Sequence, residues 1–184
     1  SRSPDGEIIA GRGFWPGLCS DFKHNSKFAS FSLISKGSYQ QELNICYPFS
    51  LVAPGKDSSN AINIIPAWWF MYDMFAIVRN RYKFKKRDKR AVKIQNIEMD
   101  PLAPDTMQEV LAAIARIIEL TQAKLADFGK TFDSSEQVDV RQIAKDYLHQ
   151  HSEEDFELFD RLCQKKYGAV IIKPTKAYKM YRKI

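Results

Sequence analysis

The stretch Ile62–Lys93, INIIPAWWFMYDMFAIVRNRYKFKKRDKRAVK, divides the chain into two kinds of sequence. Before it, short apolar runs sit among Gly, Ser, Asn and Pro and read as strand and turn. After it, most apolar residues recur at helical spacing. The stretch opens with a strand-like run, and Pro66 then stands where a first helical turn tolerates a residue without an N–H. Trp68, Tyr72, Phe75 and Arg79 follow at intervals of three to four, with Trp69 and Ala76 beside them. That spacing predicts one amphipathic helix with this set on its core face. Ala61–Val78 approaches the ~20 apolar residues of a membrane span, but Asn63, Pro66 and Asp73 interrupt it and no second span is present. A core helix is expected.

The stretch ends in Arg79, Arg81, Lys83, Lys85, Lys86, Arg87, Lys89, Arg90 and Lys93, against the single Asp88. These residues give the segment +8. The whole chain, with 28 Lys and Arg against 22 Asp and Glu, carries +6, so the remainder carries −2. Tyr82 and Phe84 interleave with the cations, which is the composition of a polyanion-binding patch, cations for phosphates and rings for bases. The other reading is a solvated helix end, where cations suit the negative pole of the helix dipole. Nucleic-acid-binding domains carry a broader basic footprint, so the solvated end is favoured and nucleic acid is a disfavoured partner.

Upstream, Leu43, Ile45, Tyr47, Phe49 and Leu51 alternate with Asn44, Cys46, Pro48 and Ser50, as in a half-buried strand. Pro48 confines that strand to an edge, bulge or bend. Phe31 and Leu33 alternate within Phe28–Ser35, and Lys36-Gly37-Ser38 between the two runs reads as a turn, giving a hairpin. A second period overlies the first. Leu33, Tyr39, Ile45 and Leu51 are spaced by six, as are Phe31, Gly37, Leu43 and Phe49, and Ile8, Phe14 and Ser20 extend the register weakly. Spacing by six marks hexapeptide β-helices. Six is also a multiple of two, so periodicity alone favours neither.

The run GRGFWPGLCSDFKHNSKFASFSLISKGSY, then LNICYPFSLV, IIPAWWFMYDMFAIVRN and the closing VIIKPTKAYKMYRKI resemble the later part of a family of uncharacterised bacterial proteins. That family is similar to left-handed β-helix, hexapeptide-type acyltransferases acting on nucleotide sugars. The resemblance covers most of the chain and implies terminal coils of a longer left-handed β-helix, with catalytic coils partly outside this sequence. It further implies a nucleotide-sugar substrate, with acyl-CoA or an acyl-carrier protein as donor. The alternative is a non-catalytic module whose helical part drives oligomerisation or whose basic segment, Arg79 to Lys93, binds a polyanion; in either reading a homo-oligomer is expected. The sequence lacks repeated Ile-Gly hexads, and FKHNSKF stands where regular coils are expected.

Within this resemblance His24 is the candidate catalytic base, taking a proton from the acceptor hydroxyl or amine, with Asp21 placed to orient it. Lys23, Asn25, Ser26 and Lys27 are the candidate phosphate or sugar contacts. Ser20 and Ser26 lack a G-x-S-x-G elbow, and Gly11-Arg12-Gly13 is too short for a nucleotide loop. Cys19, Cys46 and Cys163 make neither a metal pattern nor a disulfide framework. With no signal peptide apparent, they fit a reducing, cytoplasmic setting. His149 and His151, two apart, do not share a helix face and mark a helix end.

After the Asp100–Pro104 linker, Asp105 and Gln108 predict a capped helix start, with Met107, Val110, Leu111, Ile114, Ile117, Ile118 and Leu125 inward and Gly129 as stop. Ser134 and Gln137 predict a second start, with Val138, Ile143, Tyr147 and Leu148 inward. Ser152 and Asp155 predict a third, carrying Phe156, Phe159, Leu162 and Cys163 to Gly168. Ala169–Ile172 reads as a strand, and Pro174 opens a last helix with Ala177, Tyr178 and Tyr181 on one side. The expected fold is therefore α+β: a β-rich part over 1–65, the aromatic helix and basic segment over 66–99, and a helical subdomain over 100–184.

Overall fold

The computed structural model describes residues 6–55, 61–127, 139–151, 156–164 and 166–184. The β-rich part is a three-sided coil. Its first turn runs through β1 (Ile9–Ala10), β2 (Trp15–Pro16) and β3 (Ser20–Phe22). The second runs through β4 (Lys27–Phe28), β5 (Leu33–Ile34) and β6 (Gly37–Tyr39), and the third through β7 (Asn44–Ile45) and β8 (Leu51–Pro54). Each strand pairs in parallel with its counterpart one turn away: Ile9 with Lys27, Trp15 with Leu33 and Leu33 with Leu51, 18 residues apart, and Ser20 with Gly37 and Lys27 with Asn44, 17 apart. Leu33, Tyr39, Ile45 and Leu51 thus step from one side to the next every six residues. The expected hairpin is absent, because Gly37–Tyr39 is itself a strand pairing with β3 rather than a turn.

The corners show why six is the period. Gly13, Cys19, Asn25 and Phe31, each six after the last, take positive φ, and so does Phe49, 18 after Phe31. A left-handed residue at these five corners turns the chain between sides, while the β5–β6 and β6–β7 corners turn without one; in non-glycine residues the left-handed conformation is held only by its surroundings. Here those surroundings are a column: the Phe31 and Phe49 rings stack at 4.7 Å, and a Cβ on Gly13 would lie 2.3 Å from the Phe31 ring. Inside the coil, Phe14, Phe22, Phe28 and Tyr39 form a second aromatic stack with centroids 4.7–6.1 Å apart.

The coil ends where β9 (Ile62–Ile65) turns back antiparallel to β8. The sheet then continues through β11 (Ala169–Ile171), parallel to β9, and β10 (Leu158–Asp160), antiparallel to β11. The C-terminal part is therefore not wholly helical, and a helix through Phe156–Cys163 is not formed. Leu158 and Asp160 are buried while Phe159 faces out, a period of two that the strand pairing takes up. The start predicted at Ser152 and Asp155, the stop at Gly129, and Ser134, Gln137 and Val138 lie outside the described residues.

The expected long aromatic helix is two: α1 (Trp68–Tyr72) and α2 (Met74–Arg87). Asp73 breaks it, its carboxylate accepting from the Ala76 N–H at 3.3 Å to cap the second helix. The break keeps only part of the predicted face inside. Trp69, Ala76 and Ile77 are buried, whereas Tyr72 and Phe75 are exposed. Helix α3 (Pro104–Asp127) begins at Pro104 rather than at an Asp105 cap, and its buried side carries Val110, Ile117, Ile118 and Leu125, with Leu111 outside. Helix α4 (Val140–Gln150) ends at the His149–His151 segment, as expected. Helix α5 (Pro174–Lys183) buries Ala177, Tyr178 and Tyr181. Tyr181 ties the layers together, its hydroxyl donating to Pro48 O at 2.5 Å and accepting from the Ala67 N–H at 3.1 Å. No described helix is long and apolar enough to cross a membrane.

Candidate functional site

The residues singled out near His24 lie at and beside the corner between β3 and β4. Asn25 is a left-handed corner, its N–H donating to Glu7 O at 2.9 Å. Ser26 is buried, its hydroxyl donating to Lys23 O at 2.7 Å and accepting from the Leu43 N–H at 3.1 Å. Asp21 lies on β3 and accepts from Ser38 Oγ, its neighbour one turn up, at 2.5 Å. No hydrogen bond joins Asp21 to His24 among the described residues, so the expected orienting pair is not assembled. Lys23 stands 3.9 Å from Glu42, and Lys27 is exposed on β4.

A concave site forms elsewhere, between the first two coil turns, α2 and the segment leading to α3. It has a volume of about 430 Å³, within the range of small-molecule pockets. Trp15, Phe31, Trp69, Ile77 and Phe84 make most of its apolar wall. The Trp69 indole is fixed by donating to Phe31 O at 2.9 Å and by lying 5.8 Å from the Trp15 ring. Arg12, Asn80, Arg81 and Glu98 supply the polar lining.

The two arginines differ in what they have left to offer. The Arg12 side chain grips Asp105 with two hydrogen bonds of 2.7 Å, donates to Thr106 Oγ1 at 2.8 Å and reaches Asp100 O at 2.9 Å. This hold raises the Arg12 pKa and draws the Asp105 carboxyl down to about 2. Arg12 is a strut between the coil corner and the start of α3. Arg81 meets Asp100 only at 3.5 Å and is exposed, so its guanidinium keeps donors for an anion. The chemistry this arrangement offers is binding: an apolar body against rings, an anionic group at Arg81.

A second cluster is buried behind the third turn. The thiols of Cys46 and Cys163 and the Asp160 carboxylate lie within 4.8 Å of one another. Three widely spaced cysteines gave no sign that two of them meet. Asp160 is not free to bind a cation: it accepts from Tyr47 Oη at 2.7 Å, Arg116 Nη2 at 2.7 Å, Arg116 Nε at 3.1 Å and the Leu162 N–H at 2.9 Å. Burial pushes its carboxyl up, but those donors prevail and hold it below its ordinary value. The hydrogen bond shared by the two thiols, together with burial, raises Cys163. The cluster is a structural knot rather than a metal centre.

The basic segment is displayed on the outer side of α2 and the chain after it. Arg90 and Lys93 share Asp88, and the other cations there are exposed.

Fold and cavity together define the class: a three-sided β-helix end, closed by a helical layer, with a small-molecule-sized pocket on its flank. An uncharacterised protein of Treponema pallidum (strain Nichols) is 38% identical over 184 residues, the whole of this chain but 24% of that protein. The chain thus spans about a quarter of that relative's length. No protein-family model matches the sequence, and no solved structure matches it.

Proposed function

We propose that this chain is the coil-ending part of a hexapeptide-type transferase acting on a nucleotide sugar, and that its cavity holds the apolar part of an acyl donor. The observation that supports this most is the cavity's placement. It lies against the outer corner of coils with six-residue sides, has an aromatic wall, and leaves one loosely paired arginine at its edge. An acyl-CoA or acyl-carrier thioester has matching parts, an apolar chain for the rings and phosphates for Arg81. His24 is not part of the cavity lining, so the base that would deprotonate an acceptor is left unassigned.

Calorimetric titration with free CoA and with acyl-CoAs of increasing length tests the reading. Each methylene accommodated tightens binding about fourfold, from ~0.8 kcal/mol per buried CH₂. Asn80→Phe, which fills the space, abolishes the chain-length dependence, while His24→Ala leaves it intact. Equal affinity for CoA and acyl-CoA, or no binding of either, would remove the proposal.

A further inference from the structure

Helix α2 has its apolar residues on the wrong side for an ordinary surface helix. Its inner side buries only Ala76 and Ile77, and Phe84 faces the cavity. Its outer side carries Met74, Phe75, Val78 and Tyr82, exposed by 56, 71, 60 and 65%. At 3.6 residues per turn these four fall within a sector of about 100°. Lys85 lies inside that sector; Arg79, Lys83 and Lys86 line one flank and Arg81 the other. The helix contains no acidic residue. The ion pairs of this region, Arg81–Asp100, Arg90–Asp88 and Lys93–Asp88, leave Arg79, Lys83, Lys85, Lys86 and Arg87 without a carboxylate partner among the described residues. Past the helix, Val92 and Ile94 are also exposed, by 69 and 89%.

We propose that this face is a docking surface for an anionic phospholipid membrane. The apolar stripe enters the boundary between headgroups and acyl chains, and the flanking cations meet lipid phosphates, the arrangement by which amphipathic helices lie in an interface. Single-stranded nucleic acid would also answer the charge. It would leave Met74 and Val78 unused, however, because base recognition on such a surface needs rings to stack on. A bilayer boundary buries aliphatic and aromatic side chains alike. The charge and the exposed apolar stripe then have one explanation, and a helix lying flat requires no membrane-spanning segment.

Flotation of the 184-residue chain with vesicles of phosphatidylcholine, or of phosphatidylcholine mixed with phosphatidylglycerol, tests this. The parent should float only with the anionic vesicles, and less as salt rises. Neutralising Lys83 and Lys86 to Gln should lower partitioning about fivefold for each charge. Val78→Ser with Tyr82→Ser should lower it about tenfold with charge unchanged. All four positions are exposed, so thermal unfolding should confirm intact folds. The proposal is overturned if the parent does not float with anionic vesicles or if the serine variant floats as well as the parent. It is equally overturned if single-stranded DNA strips the parent from vesicles and binds the serine variant undiminished.

Discussion

Replacing Asp160 by Ala removes the acceptor on which three parts of the fold converge: the corner after β7 through Tyr47, helix α3 through Arg116, and the turn after β10 through the Leu162 N–H. Tyr47 is fully buried, so its hydroxyl would be left without an acceptor, at a cost of about 1–3 kcal/mol. Arg116, whose side chain is 18% exposed, would lose its buried partner; breaking such a pair costs about 3–5 kcal/mol. It keeps Glu119 at 2.7 Å, but that carboxylate is solvated and replaces little. These losses overlap, and the net destabilisation should be about 3–5 kcal/mol. At roughly 2–4 °C per kcal/mol for a chain of this size, the melting point should fall by about 10 °C. Denaturant titrations read this as a lower midpoint at unchanged slope. A double-mutant cycle sharpens the test. Tyr47→Phe alone should cost about 1 kcal/mol, but nothing, or less, in the Asp160→Ala background, where it removes an orphan hydroxyl. A loss under about 1 kcal/mol for Asp160→Ala, or an equal Tyr47→Phe cost in both backgrounds, would refute the reasoning.

Three further outcomes are expected. The Asp105 carboxyl is held at about 2 by Arg12, below an unfolded value near 4. Its contribution to stability is therefore complete above pH ~4 and lost as pH falls towards 2. The gap in melting temperature between parent and Asp105→Asn should close over that window, and a gap independent of pH would contradict the pairing. Gly13→Ala places a Cβ at φ +67 and 2.3 Å from the Phe31 ring, so it should destabilise the coil by more than ~1 kcal/mol in chemical unfolding. Brief native alkylation followed by mass spectrometry should label Cys19, which is exposed, well before Cys46 or buried Cys163.

What the sequence reveals and what it hides follow from the range of the interactions concerned. Helix α5 and the strand β11 are legible because Pro174, the Ala177–Tyr178–Tyr181 face and the apolar Ala169–Ile171 run are local signals. The six-residue register is visible from Leu33 to Leu51. Its competition with a hairpin is settled only by pairing across 17–18 residues, and the shorter step at Ser20–Gly37 blurs the count. The corner role of Phe31 and Phe49 carries no signal of its own, since phenylalanine seldom takes positive φ without a neighbour to stack on. The split at Asp73 is foreshadowed by its capping chemistry, yet the helical spacing on both sides of it reads as continuous. The cavity is the least legible part. Its walls come from five separate segments, and the Arg12 strut beside it finds its acid 93 residues away. Asp21, close to His24 in sequence, is turned by the coil to Ser38 one turn up.

The most direct measurement of the account is indole fluorescence. Trp15 and Trp69 line the cavity, and a Trp68→Phe background removes the third tryptophan of the chain. Titrating acyl-CoA into that protein should give a saturable change in emission whose midpoint tightens with chain length and which disappears when Asn80→Phe fills the space. An unchanged spectrum in the unfilled protein, or an identical response with the cavity filled, would contradict an acyl-donor site here.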